Sequence, residues 1–462
     1  MRWRRWGCGI LAGLLAVHLT GCSVDVDAYL IPPTLQGEQS EIQQALEEYI
    51  QKTNDKATRY VLKYPQSGDY TSAFILIDST SGRAVDPVSR VDFSAADTAD
   101  MADTAIAFYR LGNEGNNIHI HMLHKEGDDW LSVDDIEGLN TNIEQVMFGD
   151  LDGDGTLEML AGWSMYNSQD RQLHIYSIKN RRLTPLSTDK VYSQMFLGDI
   201  TLAGRKDLLL LRISSGNQVT ARLLYLKGEQ MTELGMTPLD GYIQRFGSIR
   251  MGMLAEDIRG VYIDAVKEAN TTITELVYWD GKQLNAPLYD RTKNVNTWTA
   301  RESGFAAMDI DGDREMEYPQ SSRLPGYEQE TAMQEYMWIN DWYSWEYATR
   351  RSVKKTANIV LPADGYSVQI DDTWRGHFTT SYDTNTRTLW LYEWENDKQG
   401  APFLAFRTET AGDSSRTQGG PDFQIWHRDQ AAGITYSAWY SAENPYDMNM
   451  EKVNYIATVL EN

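Results

Sequence analysis

The stretch Gly149-Asp150-Leu151-Asp152-Gly153-Asp154-Gly155-Thr156-Leu157-Glu158 decides how this sequence is read. Counted from Asp150, carboxylates stand at positions 1, 3, 5 and 9, and Gly155 stands at position 6. Hard oxygen ligands this dense, with a glycine for the sharp turn, suit calcium. Calcium accepts an irregular oxygen shell, where magnesium asks for a tighter octahedron and keeps more water. Four anions so close repel one another unless a cation neutralises them. Asp150, Asp152, Asp154 and Glu158 would offer side-chain oxygens and Thr156 a backbone carbonyl. EF-hand and dockerin readings fail, because position 12 is Ala161 and not a carboxylate. The next residues, Met159-Leu160-Ala161-Gly162-Trp163, read as a buried strand.

The loop recurs. Gly198-Asp199-Ile200-Thr201-Leu202-Ala203-Gly204-Arg205-Lys206-Asp207 keeps positions 1, 6 and 9 but has no carboxylate at 3 or 5. Asp199 and Asp207 alone read as a turn without metal. A weaker copy starts at Ala255 and keeps little but Gly260 and the strand-like Val261-Tyr262-Ile263. Met308-Asp309-Ile310-Asp311-Gly312-Asp313-Arg314-Glu315-Met316-Glu317 restores carboxylates at 1, 3, 5 and 9. Asp309, Asp311, Asp313 and Glu317 are therefore a second candidate calcium set. Here Arg314 must adopt the turn that a glycine takes freely. Starts at 150, 199, 255 and 309 give spacings of 49, 56 and 54, about one four-stranded propeller blade per repeat.

Elsewhere, short apolar runs alternate with Gly, Asp and Asn turns, which means a sandwich, a barrel or a propeller. Together the loops and strands resemble FG-GAP/VCBS-type repeats, as found in bacterial surface proteins and in the propeller head of integrin α-chains. The resemblance covers roughly residues 140 to 345 and more loosely 60 to 140. It rests on the Asp-x-Asp-Gly-Asp-Gly-x-x-Glu loop and the Gly-Asp or Met-Asp that introduces it. It implies a mainly β fold, a β-propeller of about five to seven blades. In it the loop joins two strands of a blade and a structural Ca2+ holds the loop shut.

The N-terminus reads as a processing signal. Arg2, Arg4 and Arg5 are followed by the apolar run Ile10 to Leu19 and then by Thr20-Gly21-Cys22. The cysteine after small residues resembles a bacterial lipobox, which implies cleavage before Cys22 and lipidation of it. Removing the three arginines takes the net charge from −24 to −27. Cys8 leaves with the signal, so the mature chain has no thiol to pair with. The expected organisation is a signal peptide over 1–21, a lipidated tether and short helix over 22–57, and a propeller over 58–351. A small α+β domain over 352–462 completes it. Ser40 reads as N-cap of the short helix, with Gln43 completing a capping box. The basic cluster Arg350, Arg351, Lys354 and Lys355 marks the boundary, and a helix from about Asn449 ends the chain.

The acidic charge argues against nucleic acid, which needs basic patches. No catalytic motif is visible. His119 and His121, on one strand face, read as a half-exposed face before a transition-metal site. Glu393 and Glu395 read as a solvated face before a glycosidase pair. The aromatic stretch 324–351 reads as a last blade or interface before a ligand platform. The expected role is a membrane-anchored, extracytoplasmic binding or adhesion module for a surface protein, a wall polymer or a glycan. The alternatives are an extracytoplasmic enzyme acting on polysaccharide or another polymer, and an envelope-assembly factor.

Overall fold

A computed structural model describes residues 37–54, 58–85, 102–112, 117–165, 170–267, 271–330, 333–410 and 421–460. The signal, the tether and Cys22 lie outside the described residues. The fold is mainly β: among the described residues 55% are in strands and 8% in helices. No helix among the described residues is long and apolar enough to cross a membrane. The chain divides into two units, 1–147 with 177–184, and 148–176 with 185–462.

In the first unit the helix Glu38–Thr53 sets Ile42, Leu46 and Ile50 on one stripe. They share a core with Phe74, Leu76, Ala105, Ala107 and Tyr109 of the sheet. That sheet is an antiparallel meander whose centre is formed by Phe74–Asp78, Thr104–Leu111, His119–Glu126 and Asp129–Glu137. The capping box at Ser40 does not form. Gly37, at φ 64, precedes the helix without a side-chain cap, and Ser40 donates its N–H to the Gly37 carbonyl at 3.0 Å. Gln43 reaches Glu47 and Tyr60 instead.

The second unit repeats one theme, an up-and-down antiparallel sheet of consecutive strands. Gln194–Gly198, Asp207–Ser214, Gln218–Lys227 and Gln230–Leu239 form one meander. Arg245–Ala255, Ile258–Val266, Thr272–Trp279 and Leu284–Asn285 form the next. Leu208 to Leu211 are all buried, so this strand is covered on both faces and its sequence is a continuous apolar run. Leu209 and Leu211 share a core with Val261 and Ile263 of the following sheet. This sheet thus packs on its successor, as blades do.

Close backbone approach holds the repeats in register. A Cβ on Gly149 would stand 2.7 Å from Leu197, and one on Gly252 would stand 2.4 Å from Met316. Asp150 accepts the Lys206 N–H on its carbonyl at 2.7 Å, and the Asp199 carbonyl accepts from Arg259 Nη1 at 2.6 Å. Each of these two acidic turns is therefore gripped by the repeat after it. The weak copy at 255 is not a loop. Ala255 pairs with Ile258 across the two-residue turn Glu256-Asp257.

The boundary expected near 352 falls inside the strand Arg351–Leu361. That strand pairs with Trp338–Glu346 on one side and Tyr366–Gln369 on the other. The basic side chains are exposed on a continuous sheet. The expected C-terminal strands form, largely in a second antiparallel sheet around Thr388–Glu395 and Lys398–Thr410. The terminal helix is only Met450–Ile456, capped by the Asn449 side chain on Lys452 N–H. Ala457–Val459 then turns to strand and pairs with Tyr366–Val368. The β-branched Thr458 and Val459 suit that edge better than a helix.

Candidate metal centres

In the first loop the Asp150 carboxylate closes the turn. Its Oδ1 accepts the N–H groups of Gly153 at 2.6 Å and Asp154 at 3.2 Å, and its Oδ2 accepts that of Gly155 at 2.9 Å. Gly153 and Gly155 sit at φ 81 and 85, the left-handed region that only glycine enters cheaply. Glu158, fully buried, accepts the Leu151 N–H at 2.9 Å, tying the loop's end back to its start. Oxygens of Asp150, Asp152 and Glu158 lie within 4.8 Å of one another. Asp154, expected among the ligands, is outside that group. Its Oδ1 accepts the N–H and hydroxyl of Thr156, at 2.9 and 2.6 Å.

The loop at 309–317 repeats the closing bonds. Asp309 accepts the N–H groups of Gly312 at 2.7 Å and Arg314 at 2.8 Å, and Glu317 accepts that of Ile310 at 3.2 Å. Arg314 adopts the glycine conformation, at φ 71. Oxygens of Asp309, Asp311 and Glu317 gather within 4.8 Å, and so do those of Asp313, Glu315 and Glu317. Glu317 is fully buried, and its Oε1 has no hydrogen-bond partner. Burial first, then the charges of Asp311, Asp313 and Asp309, push its carboxyl up to about 8 against the Ile310 hydrogen bond. An orphaned carboxylate oxygen beside two aspartates is a donor set suited to a hard divalent cation. At the rim, Lys355 pairs with Asp313 at 3.2 Å and Glu315 at 2.9 Å.

The turn at 199–207 keeps the backbone and changes the chemistry. Leu202 and Gly204 take the left-handed conformations of positions 4 and 6, at φ 58 and 75. Asp207, fully buried, accepts the Thr201 N–H at 2.8 Å and its hydroxyl at 2.7 Å. Guanidinium groups stand beside the carboxylates. Arg205 Nη2 lies 3.4 Å from Asp207, and Arg259 Nη1 lies 3.3 Å from Asp199.

On the strand face His119 is half-buried and His121 is fully buried. Their Nδ1 atoms lie 2.9 Å from the two oxygens of one carboxylate, Asp135. Tyr109 donates its hydroxyl to the same carboxylate at 3.0 Å, and His121 is fully buried against Tyr49. Burial would raise Asp135, but the hydrogen bonds and charges of the two histidines outweigh it and hold the carboxyl at about 2. Glu395 is exposed at a hairpin facing Lys398, and Glu393 is half-buried on the same strand. Sequence reasoning missed Glu315, Lys355 and Arg259. Glu315 stood in plain view at position 7. Lys355 and Arg259 lie 42 and 60 residues from the groups they meet, beyond any local pattern.

No family model matches the chain, and no curated protein matches it. Among solved structures it is similar to the Bacillus licheniformis rhamnogalacturonan lyase PL11, at 12% identity over 73% of this chain and 88% of that one, with a TM-score of 0.26. The exotype rhamnogalacturonan lyase YesX matches at 11% identity over 82% and 89%, with a TM-score of 0.30. The β-propeller domain of the trilobed protease from Pyrococcus furiosus matches at 8% identity over 76% and 91%, with a TM-score of 0.28. Likeness at this level carries no argument about activity.

Proposed function

We propose that the two acidic loops bind calcium as a structural ion and that the chain is a lipid-anchored, extracytoplasmic propeller of FG-GAP/VCBS type. It serves as a binding module for a surface protein, a wall polymer or a glycan. The observation that carries the metal reading is Glu317, a fully buried carboxylate whose Oε1 lacks a partner and which lies among Asp309 and Asp311. Asp309, Asp311 and Glu317 would hold one ion, and Asp150, Asp152 and Glu158 the other. The ion supplies the positive charge that each loop's anions need, and it acts on stability because only the folded loop assembles its ligands. The lipid anchor rests on Leu19-Thr20-Gly21-Cys22 after a charged and apolar leader.

Two experiments test this. Isothermal titration of the chelator-treated mature chain with CaCl2 should give two sites. Asp152→Ala with Asp311→Ala should abolish both, and a flat titration of the parent chain would overturn the metal reading. Metabolic labelling with tritiated palmitate should mark the protein in its native host and be lost in Cys22→Ser. Equal labelling of the two would remove the anchor.

A further inference from the structure

The loop at 309–317 carries one carboxylate more than the loop at 150–158, and a lysine from a distant strand meets it. Position 7 is Glu315 here and Thr156 in the first loop. In both loops the aspartate at position 5 accepts the position 7 N–H on its Oδ1, at 2.8 Å for Asp313 and 2.9 Å for Asp154. Thr156 adds its hydroxyl to that same oxygen, whereas Glu315 brings a further anion. The second loop therefore gathers two sets of carboxylate oxygens, each within 4.8 Å. One set is Asp309, Asp311 and Glu317, and the other is Asp313, Glu315 and Glu317.

The second set already faces a cation. Lys355 Nζ lies 3.2 Å from Asp313 Oδ2 and 2.9 Å from Glu315 Oε2. The sheet aims it there. Trp342 pairs with Thr356 and Tyr343 with Lys354, so Lys355 is the extra residue of a bulge in Arg351–Leu361. A bulge re-aims the side chain that it leaves unpaired. Lys354, next to it, turns to Asp341 at 3.0 Å and Asp372 at 2.7 Å. Two neighbouring lysines thus serve two separate acidic groups.

Glu317 joins the two sets. It is fully buried, its Oε2 accepts the Ile310 N–H, and its Oε1 has no hydrogen-bond partner. Such an oxygen is costly to bury unless a cation approaches it. Glu317 offers an oxygen to both sets, as does a carboxylate that stands between two cations.

We propose that the loop at 309–317 has two cation positions, and that the Lys355 ammonium fills the second, among Asp313, Glu315 and Glu317, where a second calcium ion would otherwise bind. The inference rests on the reading of the acidic loops as calcium sites and sets their stoichiometry at one ion each. Lys355, Asp313 and Glu315 keep 28%, 39% and 52% of their side-chain surface in water, so each ion pair is weak by itself. The ammonium holds the position because it is tethered beside it at a high effective concentration. Calcium binds so open a site only in the weak range of extracellular modules.

Equilibrium dialysis of the mature chain against calcium-45 at about 2 mM, a concentration suited to weak sites, counts the bound ions. The parent chain should bind two. Lys355→Met, which keeps an unbranched stem and removes the charge, should bind three. Glu315→Gln added to Lys355→Met should return the count to two, because Glu315 belongs to the second position alone. Both side chains are partly exposed, and an unchanged melting transition in chelator would certify the fold. Three ions on the parent, two on Lys355→Met, or three on the double variant would overturn the inference. Tighter binding of the same two ions by Lys355→Met would reduce the lysine to a nearby charge and overturn it as well. A parent chain that binds no calcium overturns the metal reading itself. Two ions on both the parent and Lys355→Met leave that reading standing and sink only the second position.

Discussion

The loop at 309–317 and the turn at 199–207 share a backbone and differ in how buried negative charge is balanced. Both place an aspartate at position 1 and a fully buried acid at position 9, and both hold positions 4 and 6 left-handed. In one, three or more carboxylates converge. In the other, two carboxylates remain, and Arg205 and Arg259 stand beside them. The same backbone turn is thus built around a cluster of carboxylates in one repeat and around carboxylates flanked by guanidinium groups in the other. The first unit holds a third solution, in which two imidazoles flank Asp135.

The largest break in this comparison should come from chelation. With calcium at about a hundredfold above Kd, each occupied loop adds about 2.7 kcal/mol, so the two together should contribute about 5 kcal/mol, read by urea unfolding with and without EGTA. The turn at 199–207 should contribute nothing to that difference. Its own failure is Arg259→Ala, which should cost about 1 kcal/mol in either buffer. The figure is modest because Arg259 and Asp199 keep 27% and 23% of their side-chain surface in water. A calcium-dependent loss in this variant would mean that the arginine supports a metal after all.

Arg314→Gly sharpens the comparison between the two acidic loops. Relief of the left-handed arginine should stabilise the chain by about 0.5–1 kcal/mol, seen as a raised melting temperature with calcium present or absent. A destabilised variant would show that the guanidinium makes a contact worth more than the strain. The smallest effect concerns the histidine solution. The hydrogen bond to Asp135 raises His119 above its ordinary value, against burial. A raised imidazole stabilises the fold fully below the unfolded value of about 6.5 and ceases to do so as pH rises through the raised one. The difference in melting temperature between the parent and His119→Gln should therefore be full below about pH 6.5 and shrink as the pH rises above it. A constant difference would assign His119 to packing alone.

Much of this was legible in the sequence, for physical reasons that differ by feature. The acidic loops were readable because their hydrogen bonds span at most seven residues, so spacing encodes geometry directly. Strands such as Asp207–Ser214 were readable because double-sided burial writes an unbroken apolar run. Three features were not. The strand through the basic cluster was not, because charged residues on an exposed strand face show no apolar pattern and the pairing of Arg351–Leu361 on both sides is set by its neighbours. The end of the last helix at Ile456 is set by the open edge of Tyr366–Gln369, which lies some 90 residues earlier. Asp135 gave no sign of its role, since its histidine partners lie 14 and 16 residues away across a sheet.

The grip of each acidic turn by the repeat after it has a mechanical consequence. The Lys206 N–H on the Asp150 carbonyl and the Arg259 guanidinium on that of Asp199 run in one direction along the chain. A series of units linked only to their neighbours propagates a local disturbance stepwise. Each such contact couples its two repeats equally in both directions, so an ion leaving the loop at 150–158 would loosen the turn at 199–207, and a disturbance in that turn would loosen the loop.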